Sequence, residues 1–206
     1  MKSIFIIGDS ISIQYGPYLE KNVTSFLKYS RKAGEEEALK NLDIPAGANG
    51  GNSNLVFNYL KHKVNSNELT ADFILFNCGL HDIKVDNLTK EYQVSLPDYA
   101  NNLNAILELL KTKTIKPIWI RTTPVVDGRH SAEGTTFDRT EKDCHEYNKR
   151  ADSIMNENNI PIIDLFTFTK RFGDEAYCDH VHFHESVREK QAGFISDWLK
   201  EFLKIN

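Results

Sequence analysis

The 206 residues are 40% hydrophobic, 26% charged and 11% aromatic, with 11 Gly and 6 Pro, which excludes disordered, collagen-like and low-complexity chains and supports one buried core. The 25 basic and 29 acidic residues leave a net charge of −4, scattered apart from Glu35-Glu36-Glu37, so no basic footprint for a nucleic-acid backbone exists and neutral or weakly charged substrates are expected. Three cysteines (Cys78, Cys144 and Cys178), far apart and without a CxxC pair, argue against a disulfide framework or a cysteine zinc site.

From the N-terminus, only five residues separate Lys2 from Gly8, too few for a signal peptide, and no stretch approaches a membrane span, so a cytoplasmic chain without membrane contact is expected. Short β-branched and aromatic runs predict strands at 4–7, 73–77, 115–121 and 160–164, with a weaker one at 26–30. Longer segments of helical period predict helices at 53–64, 97–111, 141–158 and 186–203; the last carries the apolar stripe of a helix docked on a sheet. A helical turn is expected after Ser10, and 128–140 reads as the longest loop. Strands alternating with helices give an α/β chain with a parallel sheet, one domain spanning 1–206.

Ligands of such sheets bind beyond the carboxyl ends of the strands. Gly8-Asp9-Ser10 follows the first strand there, Gly79-Leu80-His81-Asp82 the third, and Asp179-His180-Val181-His182 precedes the last helix. A serine nucleophile needs a base, and the base an orienting carboxylate; Ser10, His182 and Asp179 can supply the three. Helix capping is the competing reading of Ser10 and Asp179. Gly-x-Ser-x-Gly is absent, which excludes the usual α/β-hydrolase signature. Donors for an oxyanion are the Ser10 N–H, the glycine-rich run 47–53 and the His81 side chain; a plain turn is the competing reading of the run. Alternating His180, His182 and His184 admit a zinc site, but His182 fits the triad better, so no metal is expected. His62, His130 and His145 lie in polar stretches and read as surface residues. Tyr15 is an aromatic wall for substrate or a core residue.

These segments together resemble the SGNH hydrolase family, the GDSL-type esterases and lipases, across the chain from Ile4 to the last helix. Gly8-Asp9-Ser10 matches the nucleophile block, Gly51 in Asn-Gly-Gly-Asn-Ser the block whose glycine N–H is an oxyanion donor, and Asp179-x-x-His182 the acid and base block. Thr123-Pro124, Tyr147-Asn148 and the run from Pro161 to Asp164 are smaller echoes. One block departs: Gly-x-Asn-Asp is here Gly79-Leu80-His81-Asp82, which leaves open whether His81 replaces the asparagine donor, whether it is protonated, and whether Asp82 holds its tautomer. The resemblance implies a three-layer α/β/α sandwich of flavodoxin-like order with a five-stranded parallel sheet. It also implies a serine esterase without cofactor, with Ser10, Asp179 and His182 catalytic and Ser10, Gly51 and His81 in the oxyanion hole. Asp9, Asn52 and Tyr15 are assigned to substrate binding. A short O-acyl ester is the expected substrate, an O-acetyl group on a carbohydrate the foremost case. A lysophospholipase or thioesterase, and a non-catalytic carbohydrate-binding protein, are the alternatives.

Overall fold

The computed structural model describes residues 1–205. Its main sheet has five parallel strands, β1 (Lys2–Ile7), β2 (Leu27–Arg31), β3 (Phe73–Phe76), β5 (Lys116–Ile120) and β7 (Ile162–Ile163), in the order β2-β1-β3-β5-β7. All four residues of central β3 are buried, whereas edge strand β2 alternates. That contrast is the mark of a sheet covered on both faces. A second, two-stranded sheet pairs β4 (Val85–Asp86) with β6 (Phe137–Asp138).

Strand order fixes the layers. From β1 the chain moves outward to β2, then reverses past β1 to β3, so right-handed crossovers place the first helix and the later crossover helices on opposite faces. Accordingly α1 (Ser10–Val23) packs against α8 (Glu185–Leu203), and α3 (Ser53–Asn65) packs against α4 (Leu96–Lys111), which meets α6 (Glu141–Glu157). The reversal between β1 and β3 is the topological switch point, where loops diverge and leave a crevice at the carboxyl edge. Short helices α2 (Glu35–Ala38), α5 (Arg129–Ala132) and α7 (Leu165–Lys170) lie in the connections.

Two expectations need correction. The segment after Ser10 is not a single turn but a 14-residue helix that runs through Gly16-Pro17; burial of Ile11, Tyr15, Leu19 and Val23 in the core outweighs the hydrogen bond Pro17 removes. Residues 128–140 are not one loop, since α5 and β6 interrupt them. Among the described residues, no helix is long and apolar enough to cross a membrane.

Gly79 ties fold to site. Its φ is +152°, and a Cβ there would stand 2.2 Å from Thr122 Oγ1. Gly79→Ala is therefore expected to destabilise by ~1 to 3 kcal/mol, the cost of a strained backbone position, read as a lowered Tm in thermal unfolding; an unchanged Tm would show that the loop tolerates the side chain.

Candidate active site

Asp9 ends the β1 connection and caps α1, its Oδ1 accepting the Ile11 N–H at 3.0 Å. Ser10 is thus the first helical residue and not the cap, which corrects the capping reading. Its own N–H, in the first turn at the positive end of the helix, has no acceptor among the described residues. The Asp9 carboxyl is buried and pushed above the usual carboxylate range by that burial. Buried and committed to the cap of α1, Asp9 has a structural place, against the expectation that it binds substrate.

The last connection delivers the other two groups. Asp179 Oδ1 accepts the N–H groups of Val181 (2.8 Å) and His182 (2.7 Å), which folds the turn, and Oδ2 meets His182 Nδ1 at 2.7 Å. His182 Nε2 then lies 2.8 Å from Ser10 Oγ, 172 residues away in sequence. Asp179 closes this turn and orients His182, and caps no helix among the described residues. Burial alone would raise its carboxyl, but the hydrogen bonds to His182 and to the two N–H groups hold it well below the usual range. An ionised Asp179 fixes the proton on His182 Nδ1, so Nε2 can accept one from the serine.

Three ties hold the loop after β3. The Cys78 carbonyl accepts from the Tyr99 hydroxyl (3.1 Å) and the Thr122 hydroxyl (3.0 Å), and Arg139 Nε donates to the Leu80 carbonyl at 2.6 Å. Asp82 turns away from His81: its two oxygens accept the Ser53 N–H at 2.9 and 3.1 Å, and burial pushes it up to about 7. It therefore does not hold the His81 tautomer. His81 is buried, its Nδ1 has no partner among the described residues, and burial first, then the charges of Lys84 and Arg139, hold its pKa well below the usual imidazole value. A neutral His81 offers one N–H.

Gly51 has φ +69°, and a Cβ would meet Pro45 Cβ at 2.6 Å and Leu55 Cδ1 at 2.8 Å, so only glycine fits. Its N–H is satisfied by Asn49 Oδ1 at 3.0 Å. The next residue, Asn52, caps α3 by accepting from Leu55 N–H at 3.0 Å. Tyr15, on α1, is buried in the core, which overturns its role as a substrate wall.

The geometry agrees with what comparison finds. Residues 6–187 match the model of the GDSL-like Lipase/Acylhydrolase family. The chain belongs to this family. Among solved structures it is similar to a lipase/acylhydrolase from Enterococcus faecalis, 18% identical with a TM-score of 0.72, covering 98% of this chain and 96% of that one. A putative acylhydrolase from Bacteroides fragilis is 17% identical with a TM-score of 0.70, over 98% and 88% of the two chains. A carbohydrate acetylesterase from Sinorhizobium meliloti is 13% identical with a TM-score of 0.66, over 98% and 100%. At these identities the structures establish the shared fold, and no curated protein sequence matches.

This acylhydrolase carries a further layer of charge that its sequence hides. Arg139 is fully buried with no carboxylate within ion-pair distance among the described residues; Nη1 instead meets His130 Nε2 at 2.6 Å. Because a guanidinium only donates, His130 accepts there. Burial and the Arg139 charge lower His130 to about 3, so it is neutral, and it is buried, not a surface residue as its polar neighbours suggest. His180 bridges two loops, with Nε2 2.9 Å from Asp43 Oδ1 and Nδ1 3.3 Å from Glu133 Oε2. Burial opposes ionisation of Asp43, yet the hydrogen bond and charge of His180 bring it down to about 2. His180 and His182 thus have separate partners, and His184 is the N-cap residue before α8. His62 and His145 are exposed, as expected.

Proposed function

We propose that this carboxylic ester hydrolase is a serine esterase acting on short O-acyl esters, foremost O-acetyl groups. The continuous line Ser10 Oγ to His182 Nε2 (2.8 Å) to Asp179 Oδ2 (2.7 Å) carries the reading. Ser10 Oγ attacks the ester carbonyl carbon as its proton passes to His182 Nε2, giving a tetrahedral oxyanion and an imidazolium paired with Asp179. Collapse breaks the bond to the alcohol oxygen, which takes the proton from Nε2, and leaves an acyl-Ser10 ester. Water, deprotonated by His182, attacks that ester, and Ser10 regains its proton as the carboxylic acid departs.

The negative charge on the carbonyl oxygen needs donors already in place. Ser10 N–H is free, and His81 supplies a side-chain N–H without adding charge. Gly51 N–H, held by Asn49 Oδ1, is not waiting in place as these two are, and joins them only by exchanging that acceptor for the oxyanion. An acetyl group on a carbohydrate is supported by the fold shared with a carbohydrate acetylesterase and by the polar character of the clefts beside the loop after β3.

A series of nitrophenyl esters tests the acyl preference: kcat/KM is expected to fall from acetate through butyrate to octanoate. A rise with chain length would replace this reading with the lysophospholipase or thioesterase alternative.

A further inference from the structure

The loop after β3 continues outward into a polar groove. Residues 91–95 run antiparallel to 82–86, with Val94 N–H donating to the Asp82 carbonyl at 3.2 Å, Gln93 N–H to the Lys84 carbonyl at 2.7 Å, and Tyr92 bridging Val85. Two clefts flank this segment and share Glu91, Tyr92 and Gln93. One, of about 680 Å³, reaches Asn54 at the start of α3 and Asp98 and Asn102 in the first two turns of α4. The other, of about 380 Å³, reaches Lys84 and Phe137.

Both ends of the groove lead back to the chemistry. Asn102 Nδ2 donates to Ser53 Oγ at 2.9 Å, and Ser53 N–H is the group that Asp82 accepts beside His81. Lys84 Nζ donates to the Asp43 carbonyl at 3.1 Å, and Asp43 holds His180, whose ring centre lies 5.9 Å from that of His182. The groove therefore borders the oxyanion loop along its outer side.

Its lining has a definite chemistry. Val94 is the one aliphatic side chain that lines the larger cleft, whose wall is as much polar as apolar, so it is not the continuous apolar groove a long acyl chain needs. Tyr92 presents an exposed aromatic ring, 43% accessible, whose hydroxyl is anchored to Asp143 Oδ1 at 2.8 Å and whose ring packs 6.1 Å from Tyr147. Around it stand the amides of Asn54, Gln93 and Asn102. An anchored ring ringed by planar donors and acceptors suits a polyhydroxyl ligand with an apolar face. The larger cleft holds two carboxylates, Glu91 and Asp98, and no cation, which opposes an acidic sugar.

We propose that this groove is the alcohol-side subsite and binds a neutral oligosaccharide bearing the acetyl group that Ser10 removes. The proposal rests on the esterase reading. Ser10→Ala, which binds without turning over, is titrated calorimetrically with acetylated xylo-oligosaccharide and with acetylated oligogalacturonate. Binding of the neutral ligand is expected, stronger than that of the acidic one, and about tenfold weaker when Gln93→Ala or Asn54→Ala is added, as loss of a good contact implies. Both substituted side chains are exposed, so folding is not at stake. In turnover, either change in an otherwise native chain lowers the ratio of kcat/KM for the neutral oligosaccharide to that for nitrophenyl acetate by a similar factor. If the native chain cleaves nitrophenyl acetate but the oligosaccharide does not bind Ser10→Ala, or binds as tightly when Gln93→Ala or Asn54→Ala is added as when neither is, the groove is not the subsite and the esterase reading stands. If nitrophenyl acetate is not cleaved at all, both fall.

Discussion

Ser10→Ala is expected to lower kcat for nitrophenyl acetate by on the order of 10⁶-fold, and His182→Ala by a similar amount, because the two act as one unit. The double variant should be no worse than either alone. Ser10 Oγ has no partner other than His182 among the described residues, so its removal leaves the fold intact and the loss is chemical. Asp179→Asn separates orientation from presence. Its amide oxygen can still accept from Val181 and His182 N–H, but its NH₂ would face His182 Nδ1 and force the proton onto Nε2. A base with its lone pair on the wrong nitrogen cannot take the serine proton, and a loss of roughly 10⁴-fold is expected. A loss under tenfold in any of the three single variants would remove that residue from the mechanism.

His81→Ala is expected to cost about 10²- to 10³-fold in kcat with little change in KM, the usual effect of losing one oxyanion donor. The electrostatics also settle the sign of the pH response. Because burial and the nearby Lys84 and Arg139 lower the His81 pKa, its charged form exists only at acid pH and is lost as pH rises through that lowered value. At neutral pH the donor is uncharged and does not titrate. His81→Asn should therefore keep most of the activity and leave the shape of the kcat profile between pH 6 and 9 unaltered. Were His81 a charged donor, activity would fall as pH rose through its pKa, and the asparagine variant would lose that limb. A profile compared between the two proteins distinguishes these outcomes.

Arg139 supports this arrangement from behind. Its bond to the Leu80 carbonyl ties the loop that carries His81, and its charge helps keep the imidazole neutral. Nothing in its local sequence, Phe137-Asp138-Arg139-Thr140, signals such a place. Local polarity predicts exposure, whereas the buried guanidinium finds its acceptors in tertiary structure, His130 on α5 nine residues away and Leu80 on the loop after β3 59 residues away. The same physics hides Asp43 and His180, whose pairing spans 137 residues. Sequence separation of that size carries no local signal.

What the sequence does reveal follows from short-range rules. The central strands are legible because each is a compact apolar run, and α4, α6 and α8 because their apolar residues recur at helical spacing. Helix α1 is obscured by Gly16-Pro17, a pair that breaks most helices and is tolerated here under core packing. Strands β4 and β6, two residues each, are too short for any period to show. Ser10, Asp179 and His182 stand out because a serine, a carboxylate and an imidazole that can line up by hydrogen bonds fall at the carboxyl edge of the sheet, where the fold puts ligands. Tyr15 misleads because an aromatic residue after a nucleophile suits a wall and a core alike.

The acyl-enzyme at Ser10 is the center of the account, and it is tested most directly by a fluorophosphonate probe followed by peptide mass spectrometry. One adduct is expected, on Ser10, formed more slowly in Asp179→Asn and absent from Ser10→Ala. Lack of labelling in a chain that hydrolyses nitrophenyl acetate, or labelling of another residue that persists in Ser10→Ala, would contradict it.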